Sequence, residues 1–280
     1  MTYRISRLGW LPDPPDHRDQ EVTDRQLRPV LDTTTEVLAE VGAAQAAAVE
    51  EAPPPSSVNL REYCSPIEDQ EDIGSCTAQA ICGLAEYLQR TLRGEHIEAS
   101  RLFLYKATRQ LLGWSGDTGA FVRSAIKALR LFGVPPEDYW PYDTQRFDDD
   151  PGSFCYAFAG NYKAIGYYRL HDLDQLKESL ARGIPFAFGF VCYDSLFTEE
   201  VSTSGDIPFP TAGDRVVGGH AVMAVGYDDP GGRLLIRNSW GTGWGDAGYG
   251  SLGYEYVERG LAQDFWALAD MEIVELKDSD

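Results

Sequence analysis

Positive charge is what this chain has least of. It carries 24 basic residues against 44 acidic ones, a formal net charge of −20, and lysine is scarce beside arginine. Such a field repels phosphate backbones and anionic lipid, which argues against nucleic acids and membrane surfaces as partners. No apolar run approaches the ~20 residues that a membrane-spanning helix needs. The opening MTYRISRLGWLPDPPDHRDQ lacks the apolar core of a secretory signal, so a cytoplasmic location is the expectation. Cysteine is sparse and odd in number: Cys64, Cys76, Cys82, Cys155 and Cys192. An odd set without a signal argues against a disulfide framework and leaves room for one reactive thiol. Neither HExxH nor CxxC spacing occurs, so no metal site is expected. There is no internal repeat.

What remains is a globular chain of 280 residues, 43% hydrophobic, long enough for one large domain or two modest lobes. Residues 1–56 read as an N-terminal extension. Pro12, Pro14 and Pro15 make its first stretch extended. Thr23 to Val49 is weakly amphipathic, enough for one or two short helices, and Glu50 to Ser57 reads as a linker. The main body, 57–280, divides into a helical part over about 70–155 and a strand-rich part over about 156–275. Ile81, Leu84, Ala85, Leu88 and Leu92 follow helical spacing, which predicts a helix from Ser75 to Arg93 closed by Gly94. Further helices are predicted over 100–112, 121–132 and 173–182. Residues 136–160 read as a crossover loop. Strands are predicted over 162–169, 185–192, 220–227, 233–238 and 249–252. The pattern is that of an α+β protein of two lobes, with an active site in the cleft between them.

Three segments carry chemistry. Cys76 stands at the predicted start of a helix, after Gly74 and Ser75. Unpaired amides and the helix dipole there favour a thiolate, the nucleophilic form of the side chain. His220 opens an apolar strand after Gly218 and Gly219, where backbone has to come close. Asn238 ends a strand and enters the Gly/Trp-rich run Ser-Trp-Gly-Thr-Gly-Trp-Gly. Together they supply a nucleophile, a base and a neutral amide to orient the base.

This constellation resembles the papain-like (C1) cysteine peptidases, and in particular a bacterial subgroup that includes xylellain. The resemblance spans roughly residues 58 to 270. It rests on the Gln70-to-Cys76 interval, on the stretch Leu235 to Tyr249, and on the order Cys, His, Asn. It implies a papain-like two-lobed fold, with a helical lobe and a β-barrel-like lobe, and a thiol peptidase that needs no cofactor. Cys76 would be the nucleophile, His220 the general base and acid, Asn238 the group that orients His220, and Gln70 an oxyanion donor. Cys76 and His220 would form a thiolate–imidazolium pair. Trp240 would shield the His220–Asn238 bond, and Trp244 would wall the leaving-group side. Gly119 and Ala120 would lie beside an extended peptide. Phe121 and Val122 would wall a substrate pocket, with Gly218 and Gly219 on its far side and its bottom near Gln263 or Asp264. The resemblance also marks departures. The cysteine usually found three residues before the nucleophile is Ile73, and its disulfide partner is Asp117. Gly9 to Asp19 resembles the N-terminal stretch of the xylellain subgroup, which can lie over the active site.

The implied partners are peptide or protein substrates and the chain's own N-terminal segment. That segment is either inhibitory or a permanent structural arm. Two other functions fit the same motifs: a catalytically silent peptide-binding module, and an acyl or peptidyl transferase.

Overall fold

Strand β1 (Ser57–Asn59) pairs antiparallel with a strand far along the chain and pins the start of the folded body. The computed structural model describes residues 7–21, 23, 25, 29, 32–36 and 54–273. Most of the expected helical stretch between Thr23 and Val49 lies outside the described residues.

The helices come first. Helix α1 (Cys76–Arg93) ends at Gly94, whose left-handed φ of 78° lets its N–H reach the Arg90 carbonyl. Helix α2 (Arg101–Leu111) starts where the Ser100 hydroxyl accepts from the Phe103 N–H, and α3 (Val122–Phe132) stops at Gly133. Helix α4 (Ser153–Ala159) lies inside the stretch predicted as loop. Pro151 and Gly152 hid it, because turn residues beside a run of only seven residues read as loop.

Strands follow: β2 (Tyr162–Leu170), then helix α5 (Leu173–Ala181), then β3 (Phe186–Tyr193). A short α6 (Glu199–Ser204) leads into β4 (Asp206–Ile207). The long β5 (Val216–Asp228), β6 (Arg233–Arg237), β7 (Tyr249–Gly253), helix α7 (Glu255–Glu258) and β8 (Ala262–Ile273) complete the described chain. The sheet runs β2-β8-β3-β5-β6-β7-β4, antiparallel except for β4 with β7. The α+β expectation, helices before strands, holds. Strand β8 was not predicted. Asp264, at a positive φ of 58°, interrupts its alternation.

Helix α1 decides where the site lies. Fifteen of its eighteen residues are buried, because it packs on α2 and α3 with one side and on β5, β3 and β8 with the other. Buried Glu86 on α1 accepts from the Ser65 hydroxyl and the Ala99 N–H, and Arg237 of β6 bonds the same serine at 3.0 Å. This polar link crosses from helices to sheet inside the core. It brings the N-terminus of α1, and so Cys76, against the middle of β5, where His220 lies.

Candidate active site

The Cys76 thiol is fully buried at the first turn of α1. The backbone amides of Ala221, Gly9 and Thr77 point at its sulfur. Ala221 is the residue after His220, so the thiol lies against the strand that carries the imidazole. His220 Nε2 lies 2.8 Å from Asn238 Oδ1. That oxygen also accepts from the Ser239 N–H at 2.8 Å, which identifies it as the amide's oxygen end. Nε2 therefore carries the imidazole proton. Nδ1 makes no hydrogen bond and keeps its lone pair. The Trp240 ring stacks on the imidazole at 4.6 Å, and Phe190 meets it edge-on at 5.8 Å. Trp244 stands edge-on to Trp240 at 5.7 Å and is itself buried.

Gln70 is fixed at every polar atom. Its N–H donates to Ser239 O at 2.8 Å, and its Oε1 accepts from the Ser239 hydroxyl at 2.7 Å. Its Nε2 donates to the carbonyls of Ile73 and Arg7, each at 2.9 Å. The second bond has a consequence for the whole site: a carbonyl of the chain's own N-terminal stretch sits on the expected oxyanion donor.

That stretch fills the cleft. Gly9 and Trp10 donate to Gly219 O at 3.1 and 3.0 Å. Leu11 N donates to Ala120 O at 3.1 Å, and Ala120 N to Gly9 O at 2.8 Å, so Trp10 pairs with Ala120 as a parallel bridge. Leu8 packs against Gly218, and Trp10 lies over Gly189 and Gly219. A Cβ at Gly189 would fall 2.0 Å from the indole, so only glycine leaves room for it. Further on, Asp13 N donates to Asp264 Oδ2 at 2.7 Å, and Trp266 Nε1 to Asp13 Oδ2 at 2.8 Å. Arg123 bonds Asp19 at 2.7 Å. Residues 7, 9, 11 and 13 thus step outward from Gln70, past Cys76, along Ala120, to Asp264.

Burial sets the charges. It pushes the Cys76 thiol up to about 11, although the amides at the sulfur pull the other way. It pulls His220 down to about 4, although the Asn238 bond opposes it. In the closed cleft dehydration opposes the ion pair expected from the sequence, because it favours the two neutral side chains. Asp13, half-buried and facing the Asp264 carboxylate, is pushed up to about 7 by desolvation first and by that charge second.

The structure brings Cys76, His220, Asn238, Gln70, Trp240 and Trp244 together, and it sets Gly119, Ala120, Gly218 and Gly219 along the segment. Val122 is fully buried in the core, and Phe121 packs on Trp114 at 5.4 Å. Gly189 was not anticipated from the sequence, and Trp10 and Asp13 were anticipated only as part of the stretch Gly9 to Asp19. For Gly189 a signal existed: one glycine in the aromatic run Phe186 to Phe190 marks close approach of another group. All five cysteines are free and buried. Where the resemblance places a disulfide cysteine, Asp117 Oδ1 accepts from Gly74 N at 2.9 Å and from Tyr105 OH at 2.6 Å. Among the described residues no helix is long and apolar enough to cross a membrane, and no group of three or more metal-ligating side chains gathers.

A family model described as "Papain family cysteine protease" matches residues 54–267. An uncharacterised peptidase C1-like protein of Acanthamoeba polyphaga mimivirus is 34% identical over 76% of this chain and 72% of its own length. A cathepsin L-like proteinase of Fasciola hepatica is 30% identical over 70% of this chain, which spans 59% of that protein. Among solved structures, xylellain, a cysteine protease from Xylella fastidiosa, superimposes with a TM-score of 0.77 at 35% identity. That match covers 97% of this chain and 98% of xylellain.

Proposed function

Because the chain belongs to the papain family of cysteine proteases, we propose that it hydrolyses peptide bonds through a thioester on Cys76. The observation that carries this is the imidazole's arrangement. Asn238 accepts from Nε2–H, and Nδ1 is buried and unbonded, with its lone pair available as a base. In the open cleft Nδ1 takes the thiol proton as Sγ attacks the peptide carbonyl, and His220 then gives a proton to the leaving amine. Water, activated by the same nitrogen, hydrolyses the thioester. Gln70 Nε2 and the Cys76 amide stabilise the oxyanion. One such donor is worth about 3 kcal/mol of barrier.

The N-terminal segment acts in this reading as an inhibitor that occupies subsites without being a substrate. Its carbonyl at Arg7 takes the Gln70 donor, and its backbone takes the pairing edges of Gly219 and Ala120. Its direction protects it. A substrate's acyl part reaches the nucleophile along Ala120, and its amine part leaves toward Trp244. The segment instead runs away from the nucleophile along Ala120 as its numbering rises. Burial of Leu8 and Trp10 contributes about 2 kcal/mol each to holding it.

The test uses the full chain carrying Trp10→Ala, which empties that subsite, on a peptide library read by mass spectrometry. We expect cleaved products, at least ~1,000-fold fewer once Cys76→Ala is added, and an epoxide thiol reagent bound at Cys76 alone. Untouched or ligated peptides, or label on another cysteine, would overturn the assignment.

A further inference from the structure

We propose that Asp117 is a positioning residue for Gln70, acting through the Ile73–Gly74 peptide, and that Tyr105 ties the same carboxylate to the substrate-pairing backbone at Gly119. The proposal deepens the hydrolytic reading above and rests on it. One peptide group links the two ends of the device. Its carbonyl, on Ile73, accepts from Gln70 Nε2 at 2.9 Å, and its N–H, on Gly74, donates to Asp117 Oδ1 at 2.9 Å. A peptide is rigid and turns as a unit. Releasing the N–H frees the plane to rotate, and rotation swings the Ile73 carbonyl off the Gln70 amide. The amide must point at a developing oxyanion, and it keeps that aim only while both of its carbonyl partners are in place or replaced by substrate.

Asp117 is held in turn. The neighbouring Gly116 donates its N–H to Asp148 at 3.0 Å and gives its carbonyl to the fully buried Arg109. Arg109 also lies over the Tyr105 ring at 4.1 Å. Tyr105 is fully buried. Its hydroxyl donates to Asp117 Oδ1 at 2.6 Å and accepts from Gly119 N at 3.0 Å. Burial, followed by the Asp117 charge, raises the phenol well above its ordinary range, so it stays a donor. Gly119 precedes Ala120, the residue that pairs with the chain lying in the cleft. One carboxylate oxygen therefore references both the oxyanion donor and the edge that aligns the peptide. A charged acceptor suits this, since bonds to it are roughly twice as strong as neutral ones.

The experiment is a double-mutant cycle in the full chain carrying Trp10→Ala, with kcat and KM measured on one peptide and folding followed by thermal melting. Asp117→Ala lowers kcat about tenfold when Gln70 is present, and less than about threefold when Gln70→Ala is already in place. Asp117→Asn, which keeps the acceptor oxygen, restores at least about a third of kcat. Tyr105→Phe mainly raises KM, by about fivefold, because the Gly74 bond survives it. Equal losses from Asp117→Ala with and without Gln70, or an unchanged kcat, overturn the proposal. If the alanine variant does not fold, Asp117→Ser, too short to reach Gly74, replaces it in the same cycle. A parent that cleaves no peptide sinks the hydrolytic reading instead. The positioning is then read from the side-chain amide resonances of Gln70, which shift in Asp117→Ala if it holds and stay in place if it does not.

Discussion

Asn238 acts through one oxygen that answers to two donors, the imidazole and the next backbone amide. The backbone bond keeps the amide from flipping, so the imidazole always faces an acceptor. Asn238→Ala removes that acceptor and leaves His220 free to take the wrong tautomer. We expect kcat to fall about 100-fold with KM nearly unchanged, measured in the Trp10→Ala chain; a loss confined to KM would refute the orienting role. At this scale the sequence was informative where spacing and residue type coincide. Cys76, His220, Asn238 and Gln70 stand in motifs whose neighbours are glycine and tryptophan, and local chemistry announces them. Asp13 and Trp10 were not legible, because their meaning depends on Asp264, Trp266 and Gly189, which lie far along the chain and meet them only on folding. Asp117 was visible only as a missing cysteine. Its bonds to Gly74 and Tyr105 are tertiary.

Among elements, the docked stretch 7–13 differs in kind from α1 and β5. Those two were legible because the apolar residues of α1 recur at helical spacing and β5 is a continuous apolar run that opens after two glycines. The stretch has no period. It is held by backbone pairing on both sides, which any side chain permits, and by a few side chains seated against glycines. Its weak point is Gly9, where a Cβ would fall 2.0 Å from the Gly74 carbonyl oxygen. Both contacting groups are backbone, so neither yields cheaply. Overpacking of this kind costs about 1–3 kcal/mol. Gly9→Ala in the full chain is therefore expected to raise basal peptide turnover about tenfold while leaving the melting temperature of the body within about 2 °C. Initial rates and a melting scan on the same preparation check both halves. Unchanged turnover would mean that the stretch is a structural arm.

For the whole molecule, proton balance links the cleft's occupancy to pH. Cys76 and His220 hold one proton between them whether the pair is neutral or ionic, so near neutrality they drop out of the balance. Asp13 does not. Docked, its carboxyl is pushed up to about 7 by burial and by the Asp264 charge, with Trp266 and Arg123 pulling the other way and Arg169 and Asp19 beyond them. Released, it returns to roughly 4. Between those values the docked state binds the extra proton, so docking is strongest at low pH and weakens as pH rises toward 7, then levels. The ratio of full-chain turnover to that of the Trp10→Ala chain cancels the intrinsic profile of the chemistry. It should climb about tenfold or more from pH 5 to pH 7, and Asp13→Asn should flatten it; a ratio that falls with pH would reverse the assignment. That helices precede strands was readable from periodicity, but this coupling was not, since it comes from two acids whose partnership no local pattern records. The occupant of the cleft is also part of the same molecule. Its local concentration is fixed by the covalent path and not by how much protein is in solution, so dilution alone does not empty the site. A single backbone cut between residues 21 and 54 turns a unimolecular equilibrium into a bimolecular one, and the fragment then leaves by mass action.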